Sequence, residues 1–530
     1  MGLLLATLIM SVVVVAVNEC FAELSQRFPI YNAIAEYVRT FLDEELGWVV
    51  GLAYWYAYAA AFATQNMTAG MLLEYWGLSK AWRALICYGL VPIALFLLNA
   101  MGVFYYGLVG TFGGCLKLIM IIAISIYLYV IAGDSAVKIP SLSFSHSDEY
   151  ASKAQAGCYA LTIITYAFQG IEIYAMAAYE AWDDNSLGWA SQYTVYVVVV
   201  VYIMCTVGEV LTVDRNSIFP DLDADRKRGQ SSSMVIIAAL NAKDKRLAGF
   251  LNGCLFFSVL SAANTSLYVA SRTLYGMADK MPRNWITRSL STVSKKNQVP
   301  VAALLVSMLS FYWVPFLRLK DCYVAEQITE VISFTCSNAI MIVWAAVCGA
   351  FIRYHRWMKH YSEGLPTRQR RTPRGPLASL QPLQAWLGLI TCIVVFAFSS
   401  APWWNDNATV GKVAEAYGTH IVSVTLFLLL KVKKAFNSEE KLFIPAANLA
   451  RLTEELDDLE IRRINHAGTT RLEQWMTGLV GRVRRRSTVN PDDDRGLENT
   501  DFHADLLMVQ TQPALTSGTL ATGVAVEMRS

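Results

Sequence analysis

The stretch AANTSLYVASRTLYG, Ala262 to Gly276, decides the fold class. It closes an apolar run that begins near residue 247, and it sets small and hydroxyl side chains where a lipid-facing helix would carry Leu and Val. Small residues let helix backbones approach closely, and hydroxyls bond across helices or to a polar solute. The face is therefore built to meet protein or ligand rather than acyl chains. The rest of the chain agrees. Of its 530 residues, 55% are hydrophobic and 16% charged, and the mean hydropathy is +0.37. A water-soluble chain of this length carries far more charge and divides into several domains.

A helix needs ~20 apolar residues to cross a bilayer, and it must be a helix because lipid cannot solvate unpaired backbone groups. Eleven segments qualify, at about 2–22, 47–75, 84–103, 106–132, 156–180, 190–213, 247–275, 299–317, 326–352, 383–402 and 417–432. The expected fold class is an all-α polytopic membrane protein. Basic residues orient it. Lys280, Arg283, Arg288, Lys295 and Lys296 lie in loop 276–298, Arg353, Arg356, Lys359, Arg368, Arg370, Arg371 and Arg374 in loop 353–382, and Lys431, Lys433 and Lys434 after the last span. Eleven crossings put all three on one side, expected to be cytoplasmic. The N-terminus and loop 403–416 then face out, and Asn407 in the sequon Asn407-Ala408-Thr409 is the expected glycosylation site. The sequons at Asn66 and Asn264 fall inside spans. No Lys or Arg precedes Arg27, so the first span lacks the basic start of a signal peptide. Residues 1–435 form the membrane domain and 436–530 a cytoplasmic tail. In the tail a short charged helix is expected at 451–463, then a basic cluster at 482–487, then a disordered end.

The net charge of +2 gives no global field for nucleic acid. Ten cysteines are scattered singly with no CxxC pair, and only Cys322 falls in a predicted loop. No His pair has metal-ligand spacing. No phosphate loop, nucleophile elbow or dinucleotide fingerprint occurs. An enzyme, ATP-driven transport and a bound cofactor are all unsupported.

Charge inside a span costs ~3 kcal/mol or more, so each case is a functional candidate. Glu172 is the sharpest, in mid-span within YAFQGIE, Tyr166 to Glu172. Gly170 weakens the helix two residues before it. An opened helix offers amide ends to a carboxylate and carbonyl ends to an ammonium. Tyr166, Phe168, Gln169, Gly170, Ile171 and Glu172 are thus candidates for binding a zwitterion. Lys117 lies about a dozen residues into its span, and a buried Lys can take up and release a proton, so Lys117 and Glu172 are the proton-coupling candidates. Snorkelling to the interface is the plainer reading of Lys117. Ser261, Asn264 and Thr265 share a helical face, and Ser261 and Asn264 join the substrate-binding set, with helix-to-helix hydrogen bonding as the alternative. Glu74 and Glu209 sit near span ends, where Glu74 is expected to reach water.

Several blocks carry a family resemblance in order. They are Glu23 to Pro29 (ELSQRFP), Leu46-Gly47, Gly51, Tyr54-Trp55, Tyr75-Trp76, Cys115-Leu116-Lys117, Phe168 to Glu172 (FQGIE), Ala177 to Ala181 (AAYEA), Leu260 to Ala278, Trp344 and Ile352-Arg353-Tyr354. Over residues 1–435 the chain resembles the amino acid permeases of the amino acid–polyamine–organocation superfamily, notably the fungal ones. The resemblance implies the leucine-transporter-like fold: two five-helix repeats of opposite topology followed by two further helices. It implies uptake of amino acids with protons, by alternating access, across the plasma membrane. It puts Lys117 on the lysine associated with coupling or with replacing sodium, FQGIE on the broken sixth helix, and Tyr166 on an aromatic gate. A non-transporting nutrient sensor is the alternative.

Three departures stand out. The family has twelve helices, and its Gly-rich first helix does not precede residue 23. The chain opens inside the family's second helix and is expected to be N-terminally incomplete, or else a degenerate paralogue. The family's Ser-Gly-Gly after Pro29 is here Tyr31-Asn32-Ala33. Its Asn-Pro-Arg after the sixth helix is Trp182-Asp183-Asp184-Asn185, and a Gly usual before the last Glu of that helix is Tyr179.

Overall fold

The computed structural model describes residues 2–133, 153–180, 184–213, 233–294, 297, 299–320, 322–361, 377–399 and 410–437. Asn407, the segment 451–463 and the cluster 482–487 lie outside them. Among the described residues all regular structure is helical. All eleven predicted spans fall on helices. The elements are α1 (Gly2–Arg27), α2 (Ala33–Phe41), α3 (Glu44–Glu74), α4 (Lys80–Ala100), α5 (Val103–Gly133), α6 (Lys153–Phe168), α7 (Ile173–Ala177), α8 (Asp184–Thr212), α9 (Met234–Asn241), α10 (Lys245–Lys280), α11 (Trp285–Leu290), α12 (Val301–Leu319), α13 (Cys322–Tyr361), α14 (Leu383–Phe398) and α15 (Val410–Asn437). Nine of the helices among the described residues are long and apolar enough to cross a membrane. Cys322, expected in a loop, opens α13.

One succession of elements occurs twice. A long helix, a short helix, an Asp cap and a longer helix follow each other in α1–α2–Asp43–α3 and again in α8–α9–Asp244–α10. Asp43 accepts from the Leu46 N–H at 3.1 Å and Asp244 from the Leu247 N–H at 3.0 Å, each satisfying a donor that a helix start leaves free. A shorter span and a long one complete each set, α4 and α5 in the first, α12 and α13 in the second. Corresponding members pack together, α1 on α8 and α3 on α10. Each pair is five crossings apart, so its members run in opposite directions. This is the inverted repeat that the resemblance implied. Inside α4, Pro92 has no N–H for the preceding turn, the helix widens over Ala84–Leu90, and the Tyr312 hydroxyl donates to the Tyr88 carbonyl.

The inside and outside of the bundle differ as a membrane demands. Buried faces carry small, aromatic and polar residues such as Ala57, Ala60, Tyr54, Trp344 and Asn18. Exposed faces carry Val109, Phe112, Ile119 and Val130 on α5, and Ile390 and Ile393 on α14. These large apolar side chains are left exposed by the described residues, and lipid is the solvent that suits them.

Two charge clusters mark the ends of α3. At its start Lys431 of α15 donates to Asp43 at 2.5 Å and to Glu45 at 2.7 Å, and Lys434 reaches Glu44 and Glu45 at 3.2 Å each. Arg353 of α13 donates to the Leu42 carbonyl at 3.0 Å. At its other end Glu74 takes both Nε and Nη2 of Arg318 at 3.0 Å and also pairs with Arg83. Glu74, expected to reach water, is therefore neutralised by two guanidinium groups. A helix of 31 residues spans about 46 Å, close to a bilayer with its headgroups. Arg353, Lys431 and Lys434 converge on the α2–α3 junction, and Lys280 ends α10 beside Arg39 of α2. The three basic regions thus meet at one end of the bundle.

Lys431, Asp43 and Glu45 are each under 9% exposed, and removing one member of a buried ion cluster strands the others. Lys431→Met is expected to cost about 3 kcal/mol and to lower the melting temperature of the solubilised protein by several degrees. Lys431→Arg should keep most of the wild-type value. Intrinsic-fluorescence melting in detergent checks this, and an unchanged midpoint for Lys431→Met would show the cluster to be idle.

Candidate functional site

The sixth span is interrupted. Helix α6 ends at Phe168 and α7 begins at Ile173, with a turn between them. Gly170 sits at φ +117°, a backbone conformation that a Cβ would strain. Thr162 and Thr165 lie in the last turns before the break, and their hydroxyls bond back to the carbonyls of Cys158 and Leu161 at 3.0 and 2.9 Å, a pattern that weakens a helix. Within the turn, Gln169, Ile171 and Ile173 donate to Tyr166, Phe168 and Gly170 at 3.2–3.4 Å. The carbonyl oxygens of Gln169 and Ile171 accept no hydrogen bond from a described residue. Tyr202 of α8 covers the Ala167 carbonyl at 2.9 Å, and its ring lies 5.0 Å from that of Phe168.

Glu172 closes this turn and is completely buried. Tyr58 of α3 donates to its Oε1 at 2.6 Å. Trp344 of α13 donates to its Oε2 at 3.3 Å, and the Gly170 N–H reaches the same oxygen at 3.4 Å. The carboxyl is thus held by α3, α13 and its own broken helix. A charge moved from water into such surroundings needs these donors to persist. Two neighbouring groups are left over. The Tyr54 hydroxyl is buried without a partner, and its ring sits 4.8 Å from that of Tyr58. The Gln169 Oε1 is also buried and unpaired. A polar guest with donors and an acceptor would satisfy groups that the protein leaves unmet.

The other candidates fall around this centre unequally. Tyr166 lies one turn before the break, 3.2 Å from the Thr64 hydroxyl of α3. Phe168, Gln169, Gly170 and Ile171 belong to the interrupted segment itself. Asn264 is turned toward α4, where its Oδ1 accepts from Asn99 at 2.8 Å. Ser261 lies over Gly113 of α5, its Oγ 3.5 Å from where a Gly113 Cβ would stand. These two fasten α10 to α4 and α5, and among the described residues neither bonds to Glu172 or its turn. Lys117 lies one turn beyond Gly113 on α5, is half-buried, and makes no hydrogen bond or ion pair with a described residue. Glu209 lies 3.8 Å from the Cys205 sulfur one turn away on α8.

Sequence reasoning missed Asn18 and Glu19 of α1, both buried. Asn18 donates to the Ser191 carbonyl at 2.9 Å, and its Oδ1 is 3.1 Å from the hydroxyl of Tyr174, in the first turn of α7. Glu19 accepts from Tyr196 of α8 at 3.0 Å. The signal was available, since Glu19 sits one turn before Glu23 in an apolar run. Tyr58 and Trp344 carry no such signal, because nothing local marks an aromatic residue as the partner of a distant acid.

With this geometry in view, the likeness to known proteins is direct. The family described as amino acid permease matches residues 1–442. The chain belongs to that family. A lysine/arginine permease of Candida albicans is 23% identical over 444 residues, which is 81% of this permease and 73% of that one. The amino-acid permease RocC of Bacillus subtilis is 22% identical over 72% of this permease and 78% of its own length. Among solved structures, the manganese transporter of Eremococcus coleocola matches with a TM-score of 0.49 and 13% identity, over 87% of this permease and 89% of that chain. The permease is a membrane transporter of amino acids, not an enzyme.

Gly170→Ala would place a Cβ at positive φ and within 3.3 Å of the Ile173 side chain. The expected cost is about 1–3 kcal/mol at the break. Substrate protection against thermal unfolding should be lost while the protein still inserts. Melting curves with and without an amino acid test this, and full protection in the variant would show that the turn does not hold substrate.

Proposed function

We propose that this permease takes up amino acids together with protons by alternating access, most directly at a plasma membrane. The guest lies against the turn between Phe168 and Ile173. The free carbonyls of Gln169 and Ile171 and the Glu172 carboxyl suit its ammonium group. The buried Tyr54 hydroxyl is a donor within reach of the same space. The names of the matching relatives make lysine and arginine the substrates to try first. The observation that carries the reading is a fully buried acid held beside an opened helix with unmet hydrogen-bonding groups around it.

Glu172 is the proposed proton carrier. It can bind a proton only if its partners release or share the carboxyl, so its state is tied to Tyr58, Trp344 and the turn. Lys117 is the second titrating group in this proposal, being half-buried and without a counter-charge among the described residues. Glu172→Gln keeps the shape and removes the proton site. Uptake of radiolabelled arginine and lysine, and of a mixture of other amino acids, in cells lacking their own permeases is expected to fall to background. Wild-type accumulation in that variant would remove Glu172 from the coupling step.

Lys117→Ala is expected to flatten the dependence of uptake on external pH, with surface expression unchanged. An identical pH profile would place coupling elsewhere.

A further inference from the structure

Two tyrosines that lie far apart in the chain meet in space. Tyr31 lies in the connection from α1 to α2, and Tyr179 lies just past α7. Their rings pack edge to face with centroids 5.4 Å apart at 74°. Tyr31 makes a second such contact with Tyr275 of α10, 4.9 Å apart at 76°. Its hydroxyl donates to the Arg272 carbonyl at 3.1 Å. Arg272 lies over the Tyr268 ring at 5.0 Å, and Tyr268 stacks on Tyr106 of α5 at 4.2 Å. One ring therefore joins the α1–α2 corner, the far end of the broken helix and α10.

We infer that Tyr31, Tyr179 and Tyr275 form an aromatic latch that must part before this end of the permease opens. All three rings are half-buried, as befits a rim rather than a core. The latch is on the end where Lys280, Arg353 and Lys431 gather. Tyr179 is seven residues beyond Glu172, about 10 Å along the helical path. The joint beneath it has no slack. Asn32 holds φ +51° against Gly276, where a Cβ would come within 2.6 Å of the Asn32 Cβ. Motion of α7 away from the α2–α10 corner must therefore break the ring contacts first.

The inference rests on alternating access, and the test reads opening without flux. Cys336 is buried, and its sulfur lies 3.5 Å from the Ala57 carbonyl of α3, near the Tyr56–Thr335 contact. A membrane-impermeant maleimide is applied to the full-length permease in vesicles from the face that carries Lys431, and modification of Cys336 is followed by peptide mass spectrometry. An edge-to-face aromatic pair biases an equilibrium by about 2- to 12-fold. Tyr179→Gly should raise the labelling rate within that range, and Tyr31→Ser, which also loses the Tyr275 ring contact and the Arg272 hydrogen bond, by at least as much. The double variant should label no faster than Tyr31→Ser, because both changes remove the same contact. Tyr179→Phe should keep the wild-type rate. Unchanged rates in both single variants, or rates that multiply in the double, overturn the latch. Labelling that responds while the wild type moves no amino acid would leave the latch standing and sink the transport reading. Normal uptake with unresponsive labelling sinks the latch alone.

Discussion

A peptide group in hydrocarbon must find its partner inside the protein. This constraint makes every span of the chain a helix, and it makes the interval from Phe168 to Ile173 exceptional. There the helical ladder stops in mid-span, and the cost is met by enclosure. Tyr202 covers one freed carbonyl, the Gly170 amide turns to Glu172, and α3 and α13 shut out lipid. What stays unmet is a small set of polar groups at one place: two carbonyls, one hydroxyl and one amide oxygen. Among the described residues, this is where a span is interrupted in its middle beside a completely buried acid.

The frame that holds this opening is α3. It carries a charge cluster at each end, one tied to α15 and one to Arg83 and Arg318, and between them it presents Tyr54, Tyr58 and Thr64 to the broken helix. Its repeat counterpart α10 packs along it with small residues. The second half of the broken helix is held differently, by Tyr174 on Asn18 and by Tyr179 on Tyr31. Ala175 and Met176 add buried apolar contacts to these polar and ring contacts.

Much of this was legible in the amino-acid order. Apolar length put all eleven expected segments on helices, nine of them among the described residues long and apolar enough to cross a membrane, and Gly170 beside Glu172 located the interruption because only a special backbone explains an acid at that depth. The shared face of Ser261 and Asn264 was legible too, but not its neighbour. Helical spacing states which side chains point together, and tertiary packing alone turned them to Asn99 and Gly113. The lysines after the last span read as a topological marker, whereas two of them are neutralised by Asp43, Glu44 and Glu45 from the far end of the chain. Tyr31 and Tyr179 each registered as a separate oddity. Their contact depends on the α1–α2 corner reaching the end of α7, which no local pattern reports. Glu19 was overlooked although the rule that found Glu172 applied to it equally.

The central claim is that the sixth span opens at Gly170 to hold an amino acid. A cryo-EM map of the permease in lipid nanodiscs, saturated with arginine or lysine, tests it most directly. The account predicts an unwound backbone from Gln169 to Glu172 with ligand density against those carbonyls and the Tyr54 hydroxyl. A continuous helix through Gly170, or a ligand seated away from it, would contradict the account.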